Sequence, residues 1–275
     1  MISTSSSNDF ATKVGLLGSG NMAWQIGPSL QQAGIPVVAV CSRTKLHAQK
    51  LAHRLGCPSY TDWGALKKLD VDIWICCLAD SALETVLPQL KIHPKSLLAH
   101  TSGSQPLSVL SKYQKRTGVF YPLQTMTRGK RIDFMQVPIF LEGSTEADVL
   151  ELQSLAIKLT PRVHRANSEE RRKLHLASIF ACNFTNHLWA IASDLLNEQG
   201  YDLSVLSHLI HETTEKALMM APEDAQTGPA VRGDQNVMDQ HLKALSNNQE
   251  YQEVYEKLSE SIQKTAGIGK QKTEV

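Results

Sequence analysis

The chain has 275 residues, of which 42% are hydrophobic and 20% charged, and its formal net charge is +1. This composition excludes a disordered protein, and the length allows one large domain or two ordinary ones. No apolar run approaches the roughly 18 residues of a membrane helix, and the near-zero net charge gives no general reason to expect a nucleic-acid partner.

The charge is unevenly distributed along the chain. Residues 1–165 have an excess of Lys and Arg, whereas residues 166–275 have an excess of Asp and Glu. Opposite charges in the two parts indicate two units with different roles, and the basic part is the better place for a phosphorylated ligand.

The N-terminus and the cysteines indicate where the protein is found. Residues 1–11 lack the basic and apolar regions of a signal peptide, and we expect them to form a disordered tail. The five cysteines include no CxxC pair and no Cys/His pair at zinc spacing, so no metal site is expected. A cytoplasmic protein with reduced thiols is the simplest interpretation.

Short apolar runs alternate with helical segments in the first part of the chain. Strands are predicted at 14–17, 37–41, 72–78, 96–100, 118–121, 137–141 and 162–165, and helices at 22–33, 45–55 and 148–159. This alternation is typical of a doubly wound α/β fold, and we predict a Rossmann domain over 12–166.

The pattern changes at Asn167, which has the spacing of a capping box with Glu170. A helical pattern then runs to Gly200, and further helices follow. We therefore expect an all-α C-terminal domain over 167–275 that contributes to substrate binding and dimerisation. The long first helix has apolar residues on more than one face, which favours a homodimer that covers it.

The most specific local signal is a glycine loop between the first strand and the first helix, with the sequence Gly18-Ser19-Gly20-Asn21-Met22-Ala23. Gly18 permits the tight turn, Gly20 lets the backbone approach a pyrophosphate, and Ala23 has the position of the third glycine. The phosphates would lie at the helix N-terminus. The context favours dinucleotide binding over a purely structural strand–helix turn.

The residues after the second strand select the cofactor. An NAD site has Asp or Glu there, whereas this chain has Ser42, Arg43 and Thr44, followed by Lys45. Ser42 can donate a hydrogen bond to a 2′-phosphate and Arg43 can pair with it, so we predict NADP(H). The alternative is that Arg43 and Lys45 are solvated charges of the next helix.

Later strands end at the same predicted edge of the sheet and complete the cofactor site. The residues concerned are Leu78, Ala79, Asp80, Thr101 and Ser102. Two of them have structural alternatives, because Asp80 can cap the next helix and Ser102 can form an ST turn.

Tyr121, His175 and Asn183 are the predicted catalytic residues. Tyr121 and His175 are candidate proton donors, and Asn183 shares a helix face with His175. Alternatively, Tyr121 packs at the rim, and the two helix residues belong to an interhelical hydrogen-bond network. The predicted substrate-binding residues are Ser102, Gln124, Asn183 and Arg232. Arg232 would bind a carboxylate, or alternatively form a salt bridge within the helical domain.

These segments resemble known oxidoreductases. Residues 15–22 with 42–44 resemble the N-terminal domain of pyrroline-5-carboxylate reductase and of 6-phosphogluconate-dehydrogenase-like proteins. Segments 100–104, 121–125, 175–187, 226–230 and 232–234 resemble a bacterial family in which an NADP-oxidoreductase Rossmann domain precedes a helical domain of unknown function. The resemblance covers nearly the whole chain and implies its fold and cofactor, without naming a substrate.

One departure concerns the 3-hydroxyacid dehydrogenases of the wider superfamily, which have a catalytic Lys four residues before an Asn. If Asn183 matches that Asn, Ile179 has the Lys position, and Lys173 is ten residues upstream. This speaks against hydroxyacid dehydrogenase activity.

The sequence therefore predicts an NADP(H)-dependent oxidoreductase that transfers a hydride to or from a small carbonyl or imine substrate. The alternative is a non-catalytic NADP(H)-binding sensor or interaction protein, which the missing lysine would suit. Neither a membrane nor a nucleic-acid partner is expected, since the Lys and Arg residues are scattered and no aromatic platform lies among them.

Overall fold

A computed structural model describes residues 12–267, so the predicted tail at 1–11 lies outside the described residues. The described chain divides into two compact units, 12–183 and 184–267. The first unit extends past residue 166, where the sequence predicts the end of the dinucleotide domain.

The first unit contains an eight-stranded sheet. Its strands in chain order are β1 (Val14–Leu17), β2 (Val37–Cys41), β3 (Ser59–Tyr60), β4 (Ile73–Cys76), β5 (Leu97–His100), β6 (Thr117–Pro122), β7 (Ile139–Gly143) and β8 (Val163–Arg165). Across the sheet the order is β3-β2-β1-β4-β5-β6-β7-β8, and neighbouring strands are parallel except for the antiparallel pair β6 and β7.

The helices of this unit are α1 (Asn21–Gln32), α2 (Lys45–Leu55), α3 (Asp80–Val86), α4 (Ser108–Ser111), α5 (Glu146–Ala156) and α6 (Ser168–Ser178). The arrangement confirms the predicted Rossmann fold. From β1 the strand order continues to β2 and β3 on one side of the sheet, and from β4 it continues to β5 and β6 on the other side. Ligands of such sheets usually bind at the carboxyl ends of the two strands where the order reverses, here β1 and β4.

Apolar side chains cover both faces of the sheet. Strands β1, β4 and β5 are buried at every position, as expected of parallel strands with cover on both faces. Successive residues of β4 alternate between the faces, because Ile75 packs in the core cluster that includes α1 and Trp74 packs in the opposite cluster.

The capping box at the start of α6 is confirmed. The Asn167 side chain accepts bonds from the amides of Glu169 and Glu170, and the Glu170 carboxylate accepts one from the amide of Asn167. The helix predicted from here to Gly200 is not uniform, since Ile179–Phe184 form a π-helical segment after α6. Segments of this kind often occur at functional sites.

The second unit is helical, as predicted. Its helices are α7 (Thr185–Asn197), α8 (Ser207–Met219), α9 (Pro222–Ala225), α10 (Pro229–Arg232), α11 (Gln235–Ala244) and α12 (Gln249–Thr265). Residues 221–233 contain Pro and Gly and their sequence predicts a loop, whereas the structure has the short helices α9 and α10 there. Across residues 12–267, no helix is both long and apolar enough to cross a membrane.

Candidate active site

The two glycines of the loop after β1 have different roles. Gly18 has a φ of +101°, and a Cβ on it would lie 2.8 Å from the carbonyl oxygen of Cys77, so only glycine fits there without strain. Gly20 has an ordinary φ of −77°, and the nearest atom to its Cβ would be the same oxygen at 3.9 Å. Gly20 therefore leaves open a space that a side chain would fill.

The N-terminus of α1 is suited to an anion. The helices after β1, β2 and β4 begin without a side-chain cap, whereas Thr145, Asn167, Asp234 and Asn248 cap four other helices. The first turn of α1 has no acidic residue. Uncapped amides and the helix dipole favour negative charge, so this loop and helix fit a dinucleotide pyrophosphate.

A buried hydrogen bond joins the glycine loop to the end of β2. The Ser19 hydroxyl donates to the Ser42 hydroxyl oxygen at 2.8 Å. The next residues, Arg43, Thr44 and Lys45, are exposed. The end of β2 therefore presents hydroxyl groups and positive charge, where an NAD site has a carboxylate.

A cleft of about 810 Å³ opens at the carboxyl ends of β1, β4, β5 and β6. It brings together most of the predicted site residues, namely Gly20, Asn21, Met22, Leu78, Ala79, Asp80, Thr101, Ser102, Tyr121, Gln124, His175 and Asn183. The other predicted cofactor residues, Gly18, Ser19, Ser42, Arg43 and Thr44, belong to the adjoining turns after β1 and β2. Arg232 belongs to the second unit.

Tyr121 of β6 and His175 of α6 form a pair in this cleft. The Tyr121 hydroxyl and Nδ1 of His175 are 3.1 Å apart, and their rings meet edge to face. Burial raises the pKa of Tyr121, so its phenol remains protonated at neutral pH. Gly103 lies against both rings, because its Cβ would approach His175 and Tyr121 to within 2.8 Å.

The loop after β5 is held by polar contacts. Nδ1 of His100 accepts a bond from the Ser102 amide, and the Ser102 hydroxyl oxygen accepts bonds from the amides of Ser104 and Gln105. The ST turn expected as the alternative for Ser102 is therefore formed, although Ser102 also lines the cleft. Asp80 accepts a bond from the Ser104 hydroxyl, and Ala79, not Asp80, is the N-cap of α3, which corrects the expectation of an Asp80 cap.

Arg171 fixes α6 against the sheet, and sequence reasoning missed it. Its side chain is fully buried, pairs with Glu142 of β7 and donates to the carbonyl oxygen of Gln105. Ser168 adds to the contact by donating to Glu142 and accepting from the amide of Leu107. Arg171 is four residues before His175, so the two side chains share a helix face. This spacing is the feature of the sequence that could have identified Arg171.

Lys173 and three of the cysteines are not available as a catalytic base. Lys173 is exposed and pairs with Glu169 at 2.8 Å. Burial raises the pKa of Cys41 and Cys76 to about 12 and that of Cys57 to about 11, which keeps these thiols protonated. Among the described residues, no group of three or more His, Cys, Asp or Glu side chains is placed to hold a metal ion.

Two families match separate parts of the chain. Residues 13–101 match the family described as NADP oxidoreductase, coenzyme F420-dependent, and residues 137–262 match a domain of unknown function, DUF2520. No curated protein is significantly similar to the chain.

Several solved structures are similar to this one. A candidate NADP oxidoreductase from Bacteroides fragilis is 38% identical, with a TM-score of 0.86, over 92% of this chain and 98% of the other. A reductive aminase from Aspergillus terreus, in complex with NADPH and ethyl-5-oxohexanoate, is 17% identical with a TM-score of 0.65 over 94% and 95% of the two chains. Pyrroline-5-carboxylate reductase from Streptococcus pyogenes is 14% identical with a TM-score of 0.60 over 92% and 99%.

The similarity to the last two structures concerns the fold alone. The sequence identity to the Bacteroides fragilis protein, which extends over nearly the whole of both chains, is high enough to show common family membership. The chain therefore belongs to the family of NADP oxidoreductases in which a Rossmann domain precedes a DUF2520 domain.

Proposed function

We propose that this protein transfers a hydride between NADP(H) and a small carbonyl or imine compound. The observation that carries the proposal is the Tyr121–His175 pair, which lines the same cleft as the glycine loop. A dinucleotide site and a positioned proton donor in one cleft are what a carbonyl or imine reductase requires. The reductive aminase in complex with NADPH has the same overall fold.

Different residues of the first unit are assigned to cofactor binding and to proton transfer. The bound nicotinamide would supply or accept the hydride. The amides of Asn21 and Met22 would bind phosphate, and Thr101 and Ser102 would contact the nicotinamide end of the cofactor. Tyr121 holds a proton at its phenol oxygen, which it passes to the substrate oxygen or nitrogen and recovers through His175.

Neutral polar groups that line the cleft suit a carbonyl or imine substrate. Gln124 and Asn183 offer amide donors and acceptors, and Ser102 offers a hydroxyl. Arg232 is exposed in the second unit, and its binding of a carboxylate stays a prediction.

The cofactor is tested by titrating NADPH and NADH into the wild type and Arg43→Ala, with Lys45→Ala as the matched loss of a neighbouring charge. We expect Arg43→Ala to lose about 1–3 kcal/mol of the preference for NADPH. An unchanged preference would show that Arg43 does not bind the 2′-phosphate. If the wild type binds neither NADPH nor NADH, the cofactor assignment is wrong.

Catalysis is tested by NADPH oxidation with a panel of small ketones, aldehydes and cyclic imines. Turnover with any member supports the enzyme and excludes the non-catalytic sensor. Binding of NADPH without turnover across the panel would instead favour the sensor.

We also propose a homodimer formed through the helical unit. This unit exposes large apolar side chains, among them Leu188, Trp189, Leu195, Val205, Leu209, Leu218 and Met219. Exposed apolar surface of this kind indicates a protein partner, and a second copy is the simplest one. Sedimentation at micromolar concentration should give the dimer mass, and a monomer would refute this proposal.

A further inference from the structure

A segment between β6 and β7 is bound to the helix that starts at the glycine loop. The side-chain amide of Asn21 donates to the carbonyl oxygen of Met126 at 3.1 Å. The side-chain amide of Gln25 donates to the carbonyl oxygens of Thr127 and Lys130. These three bonds hold residues 126–130, which we name the latch, against the first two turns of α1.

The latch carries an arginine to the glycine loop. Nη2 of Arg128 donates to the carbonyl oxygen of Ser19 at 3.0 Å. Its guanidinium also lies 5.1 Å from the centre of the Trp24 ring, which Arg54 approaches at 5.6 Å. Stacking on Trp24 restricts the side chain to the neighbourhood of the loop without using its donors.

Ser19 connects this arginine to the predicted position of the 2′-phosphate. The carbonyl group of Ser19 contacts Arg128, and its hydroxyl contacts Ser42, the residue next to Arg43. Arg128 contacts Ser19 directly, and Arg43 follows Ser42 in the sequence. Two arginines from distant parts of the chain are therefore associated with the same pair of buried serines.

Arg128 has the capacity for a further ligand. Its side chain is exposed, and a guanidinium has five donors, of which the bond to Ser19 uses one. A phosphate binds a guanidinium more strongly than a neutral carbonyl does, because both partners are charged and two parallel bonds can form. A phosphate monoester carries about 1.5 to 2 negative charges at neutral pH, which suits two arginines.

We propose that Arg128 is a specificity-determining residue that binds the 2′-phosphate of NADP(H) together with Arg43. The inference rests on the proposed NADP(H) function and names the second cation of that site. The latch brings this cation to the loop, so that discrimination against NADH depends on a segment far in sequence from the end of β2.

The test compares the dissociation constants of NADPH and NADH for the wild type, Arg128→Ala and Lys130→Ala. Lys130→Ala is the matched control, because it removes one charge from the same latch and keeps the carbonyl group that Gln25 contacts. We expect Arg128→Ala to weaken NADPH binding by about 10-fold or more and to leave NADH binding unchanged. The control should change neither constant by more than about 2-fold.

Adenosine 2′,5′-bisphosphate and adenosine 5′-monophosphate isolate the 2′-phosphate without the nicotinamide. Arg128→Ala should weaken only the bisphosphate. Equal losses for both nucleotides would place Arg128 at the pyrophosphate or in support of the loop and overturn the inference, as would no loss. If the wild type binds neither dinucleotide, the proposed function fails, which is a different result.

Folding of the variant is checked by its thermal midpoint without ligand. If Arg128→Ala does not fold, Arg128→Lys keeps the charge and removes the planar fork, and we expect an intermediate loss of NADPH affinity. If folded Arg128→Lys binds both NADPH and NADH with wild-type affinity, the guanidinium does not form two parallel bonds with the 2′-phosphate, and that contact is overturned.

Discussion

The phenol oxygen of Tyr121 and Nδ1 of His175 lie 3.1 Å apart, although 54 residues separate them in sequence. Tyr121 is near the end of a central strand, and His175 is on a helix that follows the last strand. The Arg171 contacts with Glu142 and Gln105 fix that helix one turn earlier. The pair therefore depends on buried polar contacts outside the cleft as well as on its own hydrogen bond.

Replacing Tyr121 with Phe should remove turnover and preserve cofactor binding. The ring that packs against Gly103 remains, and only the proton donor is lost. We expect kcat to fall by about 100-fold or more, with the NADPH dissociation constant within about 2-fold of the wild type. Steady-state kinetics with the best substrate of the panel and NADPH titration measure these values. Turnover near the wild-type rate would assign the proton donor elsewhere.

The two loop glycines should respond differently to alanine. Gly18→Ala forces a Cβ into a left-handed backbone and against a carbonyl oxygen, so we expect a loss of about 1–3 kcal/mol in unfolding free energy. Gly20→Ala meets no such contact and should change stability by less than about 1 kcal/mol. Its methyl group instead fills the space for the pyrophosphate, so NADPH affinity should fall about 10-fold or more.

Denaturant unfolding and NADPH titration of both glycine variants provide the comparison. Gly20→Ala that binds NADPH normally would show that no pyrophosphate approaches the backbone there. Similar destabilisation by both substitutions would show that the loop is purely structural.

The sequence predicted those elements whose physical cause is local. The glycine-terminated helices α1 and α2 and the capping box at Asn167 depend on residues within a few positions of each other. The two-residue strand β3 has too little sequence to give a periodic pattern. The antiparallel direction of β7 depends on pairing with β6, which no local pattern encodes.

The sequence predicts those site residues that follow the carboxyl ends of parallel strands, because these ends meet at one edge of the sheet. That rule placed Asp80 and Ser102 near the glycine loop before any contact was known. It did not identify Arg171 or Arg128, because a buried ion pair and a latch contact both join segments far apart in sequence. An isolated arginine in a sequence usually indicates a solvated charge.

Removing Arg171 should destabilise the protein much more than removing Lys173. Arg171→Met leaves the Glu142 carboxylate without its buried partner, which costs about 3–5 kcal/mol. Lys173→Met, two residues away, breaks only the exposed pair with Glu169, and we expect a change below about 1 kcal/mol. Equilibrium unfolding in urea measures both. A loss below about 1 kcal/mol for Arg171→Met would mean that the buried ion pair with Glu142 is not needed to hold α6.

His100 should make the protein less stable in acid. Burial, with a contribution from the charge of Arg171, lowers the pKa of His100 to about 4, whereas an unfolded histidine has a pKa of about 6.5. Between these values the unfolded chain binds more protons than the folded one. The free energy of unfolding should therefore fall as the pH decreases from about 6.5 to about 4, by at most about 1.4 kcal/mol per pH unit from this group.

His100→Asn tests this assignment, because the Asn side-chain oxygen can still accept the bond from the Ser102 amide. Urea unfolding at several pH values should show a smaller loss of stability between pH 6.5 and 4 for the variant than for the wild type. Above about pH 8 the difference between the two proteins should not depend on pH, since His100 is then unprotonated in both the folded and the unfolded state. His47→Asn, an exposed substitution on α2, serves as the control and should retain the wild-type pH dependence. Parallel curves for wild type and His100→Asn over the acidic range would show that another group is responsible for the acid sensitivity.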